Sequence, residues 1–365
     1  MKFGLFYEMF VPPDIHPGGE AEIVRQTVDQ IVHADKHGWD YVWLTEHHFL
    51  KGFSHMSAPE VIFGAAAYQT KHIRFGFGLA LTPPSFNHPV RIAERVAMLD
   101  CLSNGRVDLG SGRSTTPAEL YGFGLNPDES RAQWDEGLES VVRLLSQENV
   151  ELDGKFVKMP PRTVYPRPVQ QPHPPLWVGG VGPGNAERAA LRGLGMLFFA
   201  HRTDQEMLKR SIEAYKQKIG DAQPFAGAVN NQTAGFVNGL CSYDRDAIRK
   251  LAALKTAEHT FHGCEHMLHG WPEAGPPPSY AHVTGGETKM MYDAVKADKQ
   301  AVADMMLEGG FVMAGEPADL APVIDAFQAS GVDQLIVHMQ MGNMPHERIL
   351  ESIELIGKEL IPNYR

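Results

Sequence analysis

Cysteine is scarce: Cys101, Cys241 and Cys264 are the only three in 365 residues, and no two of them form a CxxC pair. That excludes a disulfide framework and a cysteine-based structural zinc site, and it fits a reducing cytoplasm. Positive charge is in short supply as well. A formal net charge of -11 leaves no basic stripe for nucleic acid and no polybasic membrane anchor. No run approaches the roughly 18 apolar residues of a membrane span, and Met1 to Tyr7 passes directly into strand-like sequence without the charged and apolar tracts of a secretory leader. Repeats of solenoid period and low-complexity tracts are also missing. These absences leave a soluble, unprocessed cytoplasmic protein with no nucleic-acid or membrane partner, and they favour small-molecule chemistry.

With 43% hydrophobic and 21% charged residues, the chain has ordinary globular composition and is long enough for a large core. Eight short apolar runs recur: Phe3 to Tyr7, Tyr41 to Thr45, Ile73 to Leu81, Val107 to Ser111, Leu176 to Gly179, Met196 to Ala200, Gly235 to Leu240 and Gln334 to His338. Between them apolar residues fall at helical spacing, as in Ile23, Val24, Val28, Ile31 and Val32. Such alternation predicts a single α/β domain, a (β/α)8 TIM barrel over residues 1–365. Two stretches interrupt it. The proline-rich Asp153 to Pro175 reads as an extended surface crossing, and residues 258–298, before the eighth strand, read as an inserted lid.

In a parallel barrel, chemistry gathers at the carboxyl ends of the strands. The second strand ends in Glu46-His47-His48, a carboxylate and two imidazoles whose burial is costly without a task. It admits catalysis, with an acid fixing the tautomer of a proton-handling His, or a structural hydrogen-bond network or metal site. The fourth ends in Gly110-Ser111-Gly112-Arg113, where Arg113 is either a phosphate ligand or a surface residue. After the fifth, Gly180-Val181-Gly182-Pro183-Gly184-Asn185 leads into a helix that Asn185 is expected to cap. That loop offers anion-binding N–H groups or simply a tight turn, and it lacks the dinucleotide spacing. The third strand's end, Gly78, Leu79, Ala80 and Leu81, suits a flat ring or interior packing equally. His259, His262, His266 and His269 share a helical face, read as a lid helix rather than a metal site, and no metal is assigned.

Together, Gly38 to Phe49 with its EHH run, His88-Pro89-Val90-Arg91, Leu99-Asp100, Gly105-Arg106, Phe123-Gly124, Glu129 to Ala132, Pro172 to Gly180 and Ala314 to Leu320 resemble the bacterial luciferase family of flavin monooxygenases, in order as well as in composition. The resemblance implies a barrel that takes reduced FMN as cosubstrate from a separate flavin reductase, activates O2 on it and oxidises a small organic substrate. It places His47 beside the flavin, with Glu46 and His48 in support. Arg113 and Ser111 fall near the phosphate, and Gly180, Gly182, Gly184 and Asn185 supply further phosphate contacts. Gly78, Leu79, Ala80 and Leu81 lie against the ring, in the stretch where a non-prolyl cis bond is a family possibility. A homodimer is implied too. Gly112 stands where the light-emitting enzymes carry a reactive cysteine, so light emission is not implied, and Val181 replaces an acidic residue of their phosphate loop. A deazaflavin-dependent oxidoreductase on the same barrel, or a non-catalytic flavin-binding relative, fits the same motifs.

Overall fold

The computed structural model describes residues 1–199 and 205–365. Its strands are β1 (Lys2–Tyr7), β2 (Tyr41–Leu44), β3 (Arg74–Leu81), β4 (Val107–Gly112), β5 (Val150–Asp153), β6 (Lys158–Arg162), β7 (Leu176–Gly180), β8 (Gly195–Phe198), β9 (Thr233–Cys241), β10 (Val312–Gly315) and β11 (Gln334–His338). Parallel pairing runs from β11 through β1, β2, β3, β4, β7 and β8 to β9, and β9 pairs back onto β11, so eight strands close a barrel. The eight expected strands are these eight, each within two residues where described; Ala200, expected to end the sixth, lies outside the described residues.

Two pieces depart from expectation. β10 is a ninth parallel strand that pairs only with the far end of β9, Asn238 to Cys241. Four residues carry too little periodicity to announce it. The proline-rich stretch is not wholly an extended crossing, because Lys158–Arg162 folds back on Val150–Asp153 as an antiparallel pair. Pro160 and Pro161 are tolerated there because a two-stranded pair has an open edge that needs no N–H donor. The residues read as an inserted lid, 258–298, start inside a long helix, Arg245–Leu268, and include a second helix, Gly286–Ala297.

Strands covered by helices on the outside and side chains on the inside are apolar throughout. The barrel interior is filled by Phe6, Tyr41, Trp43, Trp177, Leu197, Ala234 and Ile336. The indole N–H of Trp43 donates to Gln334 Oε1 (3.0 Å), and that of Trp177 donates to Asp108 Oδ1 (2.9 Å), so neither leaves an unmet donor in the core. The indoles fit because glycine faces them: a Cβ on Gly76 would land inside the Trp43 ring, and one on Gly195 would lie 2.6 Å from Trp177. Gly76→Ala should therefore destabilise the fold by about 1–3 kcal/mol through overpacking. A urea midpoint lowered at unchanged slope would report it, and an unchanged midpoint would show that the indole can move aside.

Candidate active site

Parallel closure brings the carboxyl ends of β1, β2, β3, β4, β7 and β11 to one rim. At the end of β2, Glu46 is fully engaged. Its Oε2 accepts the Leu81 N–H (2.8 Å), its Oε1 accepts from Asn87 Nδ2 (2.7 Å) and faces His48 Nε2 (3.2 Å), and its backbone N–H donates to Leu79 O (3.2 Å). Glu46 thus fastens the end of β3, where the Gly78-Leu79 peptide is cis and the β3–β4 register shifts. Its carboxylate is a positioning group.

His47 has a different partner from the one its neighbours imply. Nδ1 lies 3.1 Å from Glu119 Oε1, on the short helix Pro117–Gly122 that follows β4. The same Glu119 oxygen accepts the His48 N–H (2.9 Å), while Oε2 accepts from Ser114 Oγ (2.7 Å) and Thr116 Oγ1 (2.6 Å). Burial on its own pushes the His47 imidazole down, but the charge and hydrogen bond of Glu119, with Glu8 and Glu46 beyond, more than offset it and hold His47 above its ordinary value. Burial likewise pushes Glu119 up, and His47 together with the two hydroxyls brings it below the usual carboxylate range. The carboxylate fixes Nδ1, which leaves Nε2 to face the rim.

Nε2 points toward a second acid, Glu8, just past β1, at 4.0 Å from Oε1. Glu8 Oε2 pairs with His259 Nε2 at 2.5 Å, and the His259 ring meets that of His338, at the end of β11, edge to face at 4.9 Å. Burial raises Glu8, but His259, His338 and His47 more than reverse it and keep it ionised well below the ordinary range. The rim therefore carries alternating acids and imidazoles, bounded by Phe10 and Phe53. The ligand atoms of Glu8, His259 and His338 lie within 4.8 Å of one another, close enough to grip a cation or a polar substrate group.

Across the rim, Leu79 extends its side chain over Gly110, Gly112 and Gly179, where Cβ atoms would stand 2.9, 3.0 and 2.9 Å from it. These glycines make room for Leu79, not for a ligand's approach to the backbone. Ala80 and Leu81 are buried, Leu81 among Phe86, Leu120 and Tyr280. Ser111 is buried too, its hydroxyl shared between Thr82 Oγ1 (2.7 Å) and Trp134 Nε1 (2.8 Å). Arg113 Nη1 donates to Ser130 Oγ (2.7 Å), and the guanidinium lies 4.4 Å from the Tyr280 ring centroid, so the inserted segment rests on it.

The glycine loop corrects one expectation. Asn185 is not the helix cap: the helix runs Pro183–Leu191, with Gly182 at the cap position, because proline fits the first helical position and lacks the N–H that would go unmet there. Asn185 sits in the first turn, donating from Nδ2 to Val181 O (2.7 Å) and accepting from Arg188 Nη2 (2.6 Å). Ala186 is the first helix residue whose N–H finds a helical carbonyl, Gly182 O at 3.3 Å. The Gly184 and Asn185 N–H groups remain for an anion, and Gly184 is exposed, with only the Arg188 guanidinium near its open side. Gly180 packs on Met196 and Asn185.

The acids Glu8 and Glu119 and the cation Arg188 went unread in the sequence. Glu8 follows Tyr7 at a strand end and was open to the same rule that picked out Glu46. Thr116-x-x-Glu119 has the spacing of a capping box, which disguises the acid as a helix-start signal.

This rim belongs to a recognised class. Over residues 1–334 the chain matches the family described as luciferase-like monooxygenase, and it belongs to that family. The monooxygenase RslO1 from Streptomyces bottropensis superposes with a TM-score of 0.79 at 26% identity, covering 100% of both chains. The oxygenase component of the flavin-dependent trigonelline monooxygenase of Acinetobacter baylyi is 31% identical over 215 residues, 57% of each chain. A coenzyme F420 dependent tetrahydromethanopterin reductase from Methanopyrus kandleri shares the fold, with a TM-score of 0.69 at 20% identity over 100% of this chain and 99% of its own. The protein is an oxidoreductase of the luciferase-like type.

The Glu119–His47 pair has a pH signature. His47, raised when folded, adds stability that is complete below its unfolded value and is lost as pH rises through the folded one. Glu119, depressed when folded, adds stability that is lost as pH falls through its folded value. Glu119→Gln should move the His47 NMR titration to lower pH and flatten the alkaline loss, and Glu119→Ala should cost about 3–5 kcal/mol as a broken buried pair. A His47 titration unmoved by Glu119→Gln would remove Glu119 as its partner.

Proposed function

We propose that the protein is the oxygenase component of a two-component monooxygenase, taking reduced FMN from a separate flavin reductase and using O2 to oxidise a small organic substrate. The observation that carries this reading is the buried Glu119–His47 pair at the strand ends of a barrel whose β7 runs into a helix start with unbonded N–H groups. The residues fit the flavin. The N–H groups of Gly184 and Asn185, beside the Arg188 guanidinium, suit a phosphate, Arg113 just past β4 is a further cation for it, and Leu79 offers an apolar ledge for the ring. Gly180 and Gly182 shape that loop, while Ser111 and Ala80 hold the wall behind the ledge. When bound, the reduced flavin supplies two electrons and the centre at which oxygen reacts, so that one oxygen atom enters the substrate and the other leaves as water.

The chain itself does three things. His47 holds a proton at Nε2, oriented by Glu119 at Nδ1, and gives or takes it at the reacting centre. Glu46 and His48 fix the second and third strand ends. Residues 258–298 act as the lid, reaching Arg113 through Tyr280 and keeping water out. The acid–imidazole set Glu8, His259 and His338 meets the polar end of the substrate, with Phe10 and Phe53 beside its apolar part. A non-catalytic flavin carrier would gain nothing from Glu8 and Glu119 held ionised at the rim.

His47→Asn should leave the Kd for reduced FMN within a few-fold and lower oxygen-dependent product formation by about 10²- to 10⁴-fold. Arg113→Met should weaken FMN without changing the affinity for riboflavin, which lacks the phosphate. The reading fails if reduced FMN does not bind, or if no product forms across aldehyde, ketone, sulfur and aromatic substrates. The full-length likeness to the F420 dependent reductase favours a second reading, hydride transfer with a deazaflavin. Competitive titration with the two reduced coenzymes separates them.

The working unit is a cytoplasmic homodimer. Val61 and Tyr68 at the helix Pro59–Ala67, and Met98 and Leu102 on the adjoining helix Pro89–Ser103, expose large apolar side chains on neighbouring helices. Tyr68→Glu with Met98→Glu should halve the mass measured by light scattering while leaving the circular dichroism unchanged. A parent protein that is already monomeric would end the proposal.

A further inference from the structure

Away from the rim, the first and last long helices bring two imidazoles and a carboxylate together. His33, in the last turn of the helix Gly19–Lys36, and His37, its C-cap residue, stand four positions apart with ring centroids 4.2 Å apart. Glu354, on the helix His346–Leu355, reaches across the seam, its Oε2 3.9 Å from His33 Nε2. Ligand atoms of all three lie within 4.8 Å of one another.

We propose that His33, His37 and Glu354 form a surface binding site for a borderline divalent cation of the zinc class, which staples the first helix of the barrel to the last. The donor set is right for such an ion, because imidazole and carboxylate together suit Zn2+, Ni2+ and Cu2+ better than the hard Mg2+ or Ca2+.

The lone pairs are arranged for it. His37 Nδ1 donates to the His33 backbone carbonyl at 2.8 Å, which fixes the tautomer and leaves Nε2 as the ligand nitrogen, the same device by which backbone carbonyls orient metal-binding histidines elsewhere. His33 Nε2 is buried and makes no hydrogen bond, an orphan that a cation would satisfy. Glu354 is shared: its Oε1 accepts from Lys358 Nζ, while Oε2 is the oxygen turned to the histidines. Contraction from 4.8 Å to the spacing of ligands around one ion needs only side-chain rotation at a half-exposed helix seam, and water completes the shell.

The seam the site crosses is where the chain's ends meet. The Met1 amino group donates to Tyr364 O (2.7 Å), Arg365 donates to Gly38 O (2.5 Å), and β1 pairs with β11 just inside. A cation held by both helices acts on the closure of the barrel and adds stability by mass action.

The test is calorimetric titration of the full chain with Zn2+ at pH 8 without chelating buffer, in parallel with thermal melts. One ion should bind per chain and raise the melting temperature. His33→Ala and His37→Ala should each weaken binding by at least about the 10- to 100-fold that loss of a mere orienting partner costs, and should abolish the thermal shift. Glu354→Gln should weaken it by less. Circular dichroism of each variant shows that the fold is kept, and His33→Gln and His37→Gln serve if the alanine variants do not fold. Two nitrogen couplings in the electron paramagnetic resonance of bound Cu2+ would identify the imidazole pair. No one-to-one binding, or binding that survives the double alanine variant, overturns the proposal. So does binding that is lost on Glu8→Gln and kept in the His33 and His37 variants, since the ion would then belong to the rim.

Discussion

The hydrogen bonding of β11 to β1, with Lys2 beside Gln334 and Phe6 beside His338, is the constraint on which everything else at the rim depends. It joins the two ends of a long chain in parallel register, so that every barrel strand must run the same way around the ring. Once that holds, residues that end strands in the sequence are neighbours in space whatever their separation. Glu8 meets His259 and His338 for this reason, and His47 meets Glu119. A single strand slipped by one residue would turn its rim side chain into a wall side chain.

Gathering charge at the rim is costly, and the structure shows how the cost is offset. Three carboxylates, those of Glu8, Glu46 and Glu119, are largely buried, yet none is isolated. Glu46 takes a backbone N–H, an amide and the His48 imidazole, Glu119 takes two hydroxyls, a backbone N–H and an imidazole, and Glu8 takes imidazoles alone. The difference sorts them. An acid that binds a neighbouring strand end through a backbone N–H is fixed in place, as Glu46 is at the β3 end. One held by groups that can themselves titrate stays coupled to proton movement. Glu119 combines both kinds of partner, and Glu8 is coupled to histidines alone.

The inserted segment serves the same rim from above. Tyr280 fills the cluster of Leu81, Phe86, Leu120 and Leu125 and stacks on Arg113, so one side chain ties the inserted segment to the strand ends and to the Arg113 guanidinium. Its hydroxyl donates to Ser130, which also receives Arg113, and the positions of the inserted segment and of the guanidinium are thereby linked through one serine.

The barrel was legible in the sequence because strand and helix periods are local properties, and eight apolar runs separated by helical spacing leave few architectures open. Glu46-His47-His48 could be placed at a strand end for the same reason, and the loop from Gly180 to Asn185 could be recognised as the start of a helix, although the proline moved its cap back to Gly182. What the sequence could not decide is partnership. His47 and Glu119 are 72 residues apart, and nothing in either local stretch distinguishes an acid that pairs with an imidazole from one that caps its own helix. The glycines of β4 look like ligand space in one dimension and prove to be space for Leu79 in three. Composition and period set the fold because they act over a few residues; the tertiary structure alone chose which charge faces which, because electrostatics acts through distances that only closure of the barrel defines.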